Sequence, residues 1–174
     1  MISIISGTNR PNSNSNKVAL HYQQLCKQKG EESQVLDLAK LPVDFAFSAA
    51  YGRKNYEFDI MVEQYVAAVE RFVFIVPEYN GSFPGILKAF LDCVPPPLFQ
   101  GKRAGLVGLS GGKAGNLRGM DHLTGILHYL KVEVLSAKPK LSQFSSLLDA
   151  DSGEILDENT LTLLENHFNL FQKF

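Results

Sequence analysis

The chain has 174 residues, 45% of them hydrophobic, and a formal net charge of −1 with a pI near 6.4. That length predicts a single domain spanning 1–174 with enough apolar material for a two-sided core, and the near-neutral balance of scattered Lys and Arg excludes the electrostatic footprint of a nucleic-acid binder. Cys26 and Cys93 form neither a C-x-x-C pair nor a metal-like cluster, no apolar run is long enough for a membrane span, and Met1-Ile2-Ser3-Ile4-Ile5 lacks the basic start of a signal peptide. The expectation is a cytoplasmic protein of a reducing compartment, with no membrane or nucleic-acid partner and no bound metal. Asn80-Gly81-Ser82 matches a glycosylation sequon, which without a secretory signal is accidental.

Strands and helices alternate along the chain, with no repeat and no low-complexity linker. Ile2 to Ser6 is the first strand. Residues 7–16 follow as a polar loop, and the next helix places Val18, Tyr22, Leu25 and Cys26 on one face before stopping at Gly30, which suits a left-handed position past a helix end. The loop carries hydroxyls, amides, one Arg and a helix N-terminus, the parts that hold a phosphate. It contains neither the G-x-x-x-x-G-K-[ST] nor the G-x-G-x-x-G fingerprint, and its composition alone also fits a solvated helix cap.

Val35 to Leu38 reads as a short second strand, left by Leu41-Pro42-Val43. Asp44 to Glu57 is the least regular stretch; its Phe45, Phe47, Tyr51 and Tyr56 suit a cover over the site, a subunit contact or a loop packed on its own core. From Phe58 the residues Met61, Val62, Tyr65, Val66 and Val69 recur at helical spacing. Arg71 to Val76 is a strand buried on both faces. A Pro- and Gly-rich loop leaves it at Pro77, and Pro84 opens a helix whose apolar face holds Ile86, Leu87, Phe90, Leu91 and Val94. Pro95-Pro96-Pro97 predicts an extended connection to a fourth strand, Ala104 to Leu109. Beyond the glycine-rich loop Ser110 to Gly115, Leu117, Met120, Leu123, Leu127 and Leu130 mark another helix. Val132 to Leu135 supplies a fifth strand ended by Lys138-Pro139-Lys140, and the amphipathic tail from Leu161 to Phe174 covers the sheet.

The stretch Pro77-Glu78-Tyr79-Asn80-Gly81-Ser82-Phe83-Pro84-Gly85-Ile86-Leu87-Lys88 resembles the signature of the NADPH-dependent FMN reductases, flavodoxin-like flavoenzymes that include quinone, azo-dye and chromate reductases. The resemblance runs from the first loop to the helix after Gly115. It implies a flavodoxin-like three-layer sandwich, an α/β fold with a five-stranded parallel sheet in order 2-1-3-4-5. Strands one and three are then neighbours whose following helices lie on opposite faces, so their loops meet over one crevice, where FMN would lie. Gly7-Thr8-Asn9-Arg10-Pro11-Asn12-Ser13 matches the family's G-[ST]-x-R-x-x-S loop, which implies that Thr8, Arg10, Ser13 and Asn14, with Ser15, hold the FMN phosphate. By the same resemblance Pro77, Glu78, Tyr79, Asn80, Gly81 and Ser82 cradle the ring, mostly through backbone and stacking, while Ser110, Gly111 and Gly112 approach its edge. Where the family often has Trp after the acidic residue, this chain has Cys93 after Asp92. The implied activity is hydride transfer from NADPH or NADH to FMN, then reduction of a quinone, azo compound, metal ion or free flavin, with no protein nucleophile. A homodimer or homotetramer is implied as well.

Two other readings compete. Gly108-Leu109-Ser110-Gly111-Gly112 fits the G-x-S-x-G nucleophile elbow, and the order Ser110, Asp149 or Asp151, His167 follows that of α/β-hydrolases. His167 falls within a helix pattern, however, whereas a triad His usually sits on a loop. The other rival is an FMN-binding electron carrier without NAD(P)H activity, disfavoured because such carriers are strongly acidic. His122 and His128, six apart, point to different helix faces and make a poor metal pair.

Overall fold

Arg71–Pro77 (β3) is the middle of a parallel sheet in the computed structural model, which describes residues 1–149, 152 and 154–174. Its neighbours are Ile2–Ser6 (β1) on one side and Arg103–Leu109 (β4) on the other; Ser33–Asp37 (β2) and Glu133–Val134 (β5) lie outside them, in the order β2-β1-β3-β4-β5. The helices are Asn14–Gln28 (α1), Phe45–Ser48 (α2), Tyr56–Val62 (α3), Gly85–Cys93 (α4), Leu117–Tyr129 (α5) and Glu158–Lys173 (α6).

Alternation along the strands builds two cores. Ile2, Ile4, Val73, Ile75, Val107 and Leu109 face α1 and α6, whereas Ile5, Phe72, Phe74, Val76, Ala104 and Leu106 face α3, α4 and α5. The fold is therefore the expected flavodoxin-like sandwich of helices on both faces of a parallel sheet. Among the described residues no helix is long and apolar enough to cross a membrane.

The expected fifth strand is divided. Glu133 and Val134 pair with Arg103 and Ala104, the chain then leaves, and Lys140–Leu141 (β6) returns to pair with Gly108 and Leu109. Lys138-Pro139-Lys140 thus restarts the edge instead of ending it. Pro139 has no N–H to give a ladder, but here only its carbonyl is needed, accepting from the Gly108 N–H at 2.9 Å.

Several boundaries shift for local reasons. The Ser13 hydroxyl accepts from Asn16 N at 3.1 Å, so Asn14, Ser15 and Asn16 form the first turn of α1 and not the end of a loop. That helix closes with Gly30 at φ 76°, where Glu31 N donates to Cys26 O and Gly30 N to Lys27 O, the paired bonds of a Schellman stop. Asn55 caps α3 through Phe58 N, starting it at Tyr56, and a π turn over Glu63–Ala67 extends it. Pro96–Leu98 is a single 3₁₀ turn, tighter than the extended run expected from three prolines. The irregular stretch 44–57 divides by residue: Phe45 is buried and stacks on Phe58 at 5.2 Å, while Phe47, Tyr51 and Tyr56 are exposed.

Candidate functional site

Because α1 and α4 follow adjacent strands but pack on opposite faces, the loops after β1 and β3 open toward each other at the C-terminal end of the sheet. A crevice of about 350 Å³ lies there, joined by the start of the β4–α5 loop. Of the residues singled out from sequence, Thr8, Arg10, Ser13, Asn14 and Ser15 line it from the first loop, Pro77, Glu78 and Tyr79 from the second, and Ser110 and Gly111 from the third. Asn80, Gly81, Ser82 and Gly112 do not line it.

The first loop is held close to the sheet. Gly7 N donates to Ile75 O at 2.9 Å, and a Cβ at Gly7 would meet that same oxygen at 3.0 Å. The chain then runs past Thr8 into α1, whose first N–H groups precede any intrahelical acceptor. The Ser15 hydroxyl in that turn is buried and finds no partner among the described residues. Arg10 is exposed, and among the described residues no carboxylate forms an ion pair with it. An unpartnered buried hydroxyl, a free guanidinium and a helix N-terminus around one hollow are a donor set suited to an anion.

The second loop is a rigid two-residue turn. Tyr79 N and Ser82 O are 2.9 Å apart and Ser82 N and Tyr79 O 3.1 Å, with Asn80 at φ 52° and Gly81 at φ 78°. Positive φ at both central residues is what an Asn-Gly pair supplies. Glu78 N donates to Leu109 O, fixing the loop to the end of β4. Helix α5 supports the turn from behind: Ser82 Oγ and His122 Nδ1 are 2.9 Å apart, and a Cβ at Gly119 would strike the Ser82 carbonyl carbon at 2.7 Å. Asn116, buried in left-handed backbone, donates from Nδ2 to Val76 O at 2.9 Å and so ties the third loop to the end of β3. Across the crevice, Thr8 Oγ1 and the Tyr79 hydroxyl share a hydrogen bond of 2.8 Å.

Other residues at the site carry no strong local signal. Ser145 lines the crevice, and Asn14 Nδ2 donates to its Oγ at 3.4 Å; only the return of β6 beside β4 brings it there. Pro11, Asn12 and Leu109 line it as well. Arg118 reaches over the turn, with Nη1 3.6 Å from where a Cβ on Gly81 would stand.

The hydrolase arrangement does not assemble. Ser110 Oγ donates to Gly112 O at 2.8 Å and accepts from Gly115 N at 2.9 Å, so this hydroxyl clamps its own loop. His167 is buried under β4, where a Cβ on Gly105 would touch its ring at 2.8 Å, and its Nδ1 pairs with the Tyr22 hydroxyl at 2.9 Å. Gly105 lies five residues up the strand from Ser110, roughly 16 Å at strand rise. Asp149 accepts from Ser152 N and Oγ, and Asp151 lies outside the described residues. Among the described residues no group of three or more His, Cys, Asp or Glu could hold a metal.

Residues 1–145 match the family model described as NADPH-dependent FMN reductase. The chain belongs to that family. Within the family it is similar to a 2-hydroxy-1,4-benzoquinone reductase of a Burkholderia species, 30% identical over 142 residues, covering 78% of this chain and 75% of the relative. It is also similar to an NAD(P)H-dependent FMN reductase of Pseudomonas aeruginosa, 33% identical over 132 residues, covering 67% and 70%. Among solved structures, the apo form of an NADH:FMN oxidoreductase superposes with a TM-score of 0.81 at 22% identity, covering 99% of this chain and 88% of that one. The flavodoxin of Megasphaera elsdenii gives 0.61 at 15%, covering 99% of both chains, a likeness of fold.

Proposed function

We propose that the chain acts as a single-domain FMN-dependent NAD(P)H oxidoreductase that reduces a small-molecule acceptor such as a quinone, azo compound, metal ion or free flavin. The observation that carries the reading is the donor set around the crevice: the buried, unpartnered Ser15 hydroxyl, the unpaired Arg10 guanidinium and the start of α1. These residues fit a phosphate monoester, the terminal group of FMN. Thr8, Arg10, Ser13, Asn14 and Ser15 would hold that phosphate, with Ser145, which lines the same crevice, beside them. Pro77, Glu78 and Tyr79 would face the ring, Asn80, Gly81 and Ser82 would shape their turn, and Ser110, Gly111 and Gly112 would lie toward the ring edge.

FMN held by these residues would supply the two-electron chemistry between a nicotinamide and the acceptor. The chain's own part is to bind, orient and keep water from one face. The Asn80-Gly81 turn, closed by two backbone bonds and tied to α5 through Ser82 and His122, would present a preformed surface to the ring. Ser110 spends its hydroxyl on loop geometry, so no step is assigned to it as a nucleophile.

The test is anaerobic. A visible spectrum of the purified protein is recorded, then NADPH or NADH is added; rapid bleaching of bound flavin supports the reductase. Bleaching by dithionite alone would move the assignment to a carrier, and failure to bind flavin would overturn both. We place the protein in the cytoplasm, in keeping with two free cysteines, and as a homodimer or homotetramer, because Phe47, Tyr51 and Tyr56 present exposed aromatic surface on one stretch. Light scattering at micromolar concentration checks this, and a monomer would contradict it.

A further inference from the structure

We propose that Tyr79 is a positioning residue for the phosphate end of the site, acting through Thr8, and not only a part of the ring platform. The proposal rests on the reading of the crevice as an FMN site. Thr8 is 1% exposed, and its hydroxyl oxygen has two polar neighbours: Arg10 N donates to it at 3.3 Å, and the Tyr79 hydroxyl lies 2.8 Å away.

A hydroxyl oxygen offers two lone pairs and one proton. Arg10 N–H occupies one lone pair of Thr8, so the bond to Tyr79 decides where the Thr8 proton goes. If Thr8 donates to Tyr79, that proton is consumed inside the protein, and an arriving anion meets only a lone pair. If Tyr79 donates to Thr8, both lone pairs are engaged and the proton is left to point elsewhere, into the crevice that Thr8 lines with Arg10, Ser13 and Ser15. A phosphate oxygen with no proton of its own selects the second order. The relay then runs from the Tyr79 O–H to the Thr8 oxygen and from the Thr8 O–H to the phosphate, each bond polarising the next.

The backbone makes this relay a fixed feature. Tyr79 begins the turn whose two cross-bonds to Ser82 hold it to the geometry of an Asn-Gly pair, and Ser82 is bonded in turn to His122 of α5. The phenol's base is therefore set by the scaffold before any ligand arrives. Its hydroxyl has a phosphate-dependent task, whereas its ring could serve any flavin.

The test titrates FMN and riboflavin, by quenching of flavin fluorescence, into wild type, Tyr79→Phe, Thr8→Ala and the double variant. Tyr79→Phe keeps the ring and removes one hydrogen bond, so FMN should bind about 3- to 10-fold more weakly while riboflavin stays within about twofold. The double variant should bind FMN no more weakly than Thr8→Ala, because without Thr8 the phenol has nothing to orient. Equal losses for both flavins, no loss for FMN, or independent losses in the double variant would each overturn the relay while leaving the FMN site in place. Wild type that binds neither flavin would instead overturn the site itself.

Discussion

Arg10 and Ser110 occupy the same crevice but are committed differently, and that difference predicts their variants. Arg10 has no ion-pair partner among the described residues and lines the hollow beside the start of α1. If it forms charge-assisted bonds to a phosphate, Arg10→Ala should cost about 1.5–3 kcal/mol, or roughly ten- to a hundredfold in FMN affinity. Riboflavin affinity should hardly change, and FMN binding in the variant should fall less steeply with salt. Parallel titrations decide it, since an equal loss for both flavins would assign Arg10 to the fold or the ring. Ser110 has already spent its hydroxyl on Gly112 O and Gly115 N. Ser110→Ala should lower stability by about 1–3 kcal/mol and slow NADPH oxidation by less than about tenfold. A wild type that cleaved simple esters and bound no flavin, with that cleavage lost in the variant by on the order of a millionfold, would instead make Ser110 a nucleophile. Arg10 and Ser110 could be named from sequence because each sits in a short motif directly after a strand. Ser145 could not: it lies far along the chain and reaches Asn14 only through the pairing of β6 with β4.

The elements themselves were legible wherever one local pattern decided them. The strand β3 and helix α4 agree with the sequence reading within a residue or so, because an all-buried apolar run and a one-faced helix each leave a periodic trace. The fifth strand misled because its two short pieces are held by bonds to β4 and not by their own apolar pattern. Similarly, nothing local in Ala104-Gly105-Leu106 shows that α6 lies directly on Gly105. A Cβ there would meet His167 Cε1 at 2.8 Å, His167 Nε2 at 3.0 Å and Phe171 at 3.2 Å, all from buried rings. Gly105→Ala should therefore destabilise the fold by about 1–3 kcal/mol, since the added methyl would push on two buried rings in a packed core. Urea unfolding measures this; a change below about 0.5 kcal/mol would mean that α6 shifts freely on β4. The crevice opens beyond the C-terminal end of β4, five residues along the chain from Gly105, so flavin affinity at fixed fraction folded should stay near that of wild type.

Across the whole molecule, the same contact makes stability depend on pH. His167 bonds through Nδ1 to the Tyr22 hydroxyl, its Nε2 finds no partner among the described residues, and its ring lies parallel to Phe171 at 6.2 Å. Burial lowers its pKa to about 4 and raises that of Tyr22, so the pair stays neutral across the physiological range. An unfolded histidine titrates near 6.5. The sign follows from proton uptake: below about pH 6.5 the unfolded chain binds a proton that the folded chain refuses, so stability falls as pH drops toward about 4. Above that window the contribution is constant. Its full size is roughly 3 kcal/mol, an appreciable part of a typical domain's stability. His21, whose pKa is lowered by partial burial, adds in the same direction. His167→Gln would keep a neutral hydrogen-bonding group for Tyr22 while removing the titration, so denaturant unfolding of this variant between pH 7 and pH 4.5 should show a shallower loss than wild type. If both proteins lose stability with the same slope, the acid sensitivity lies elsewhere and His167 is not its source.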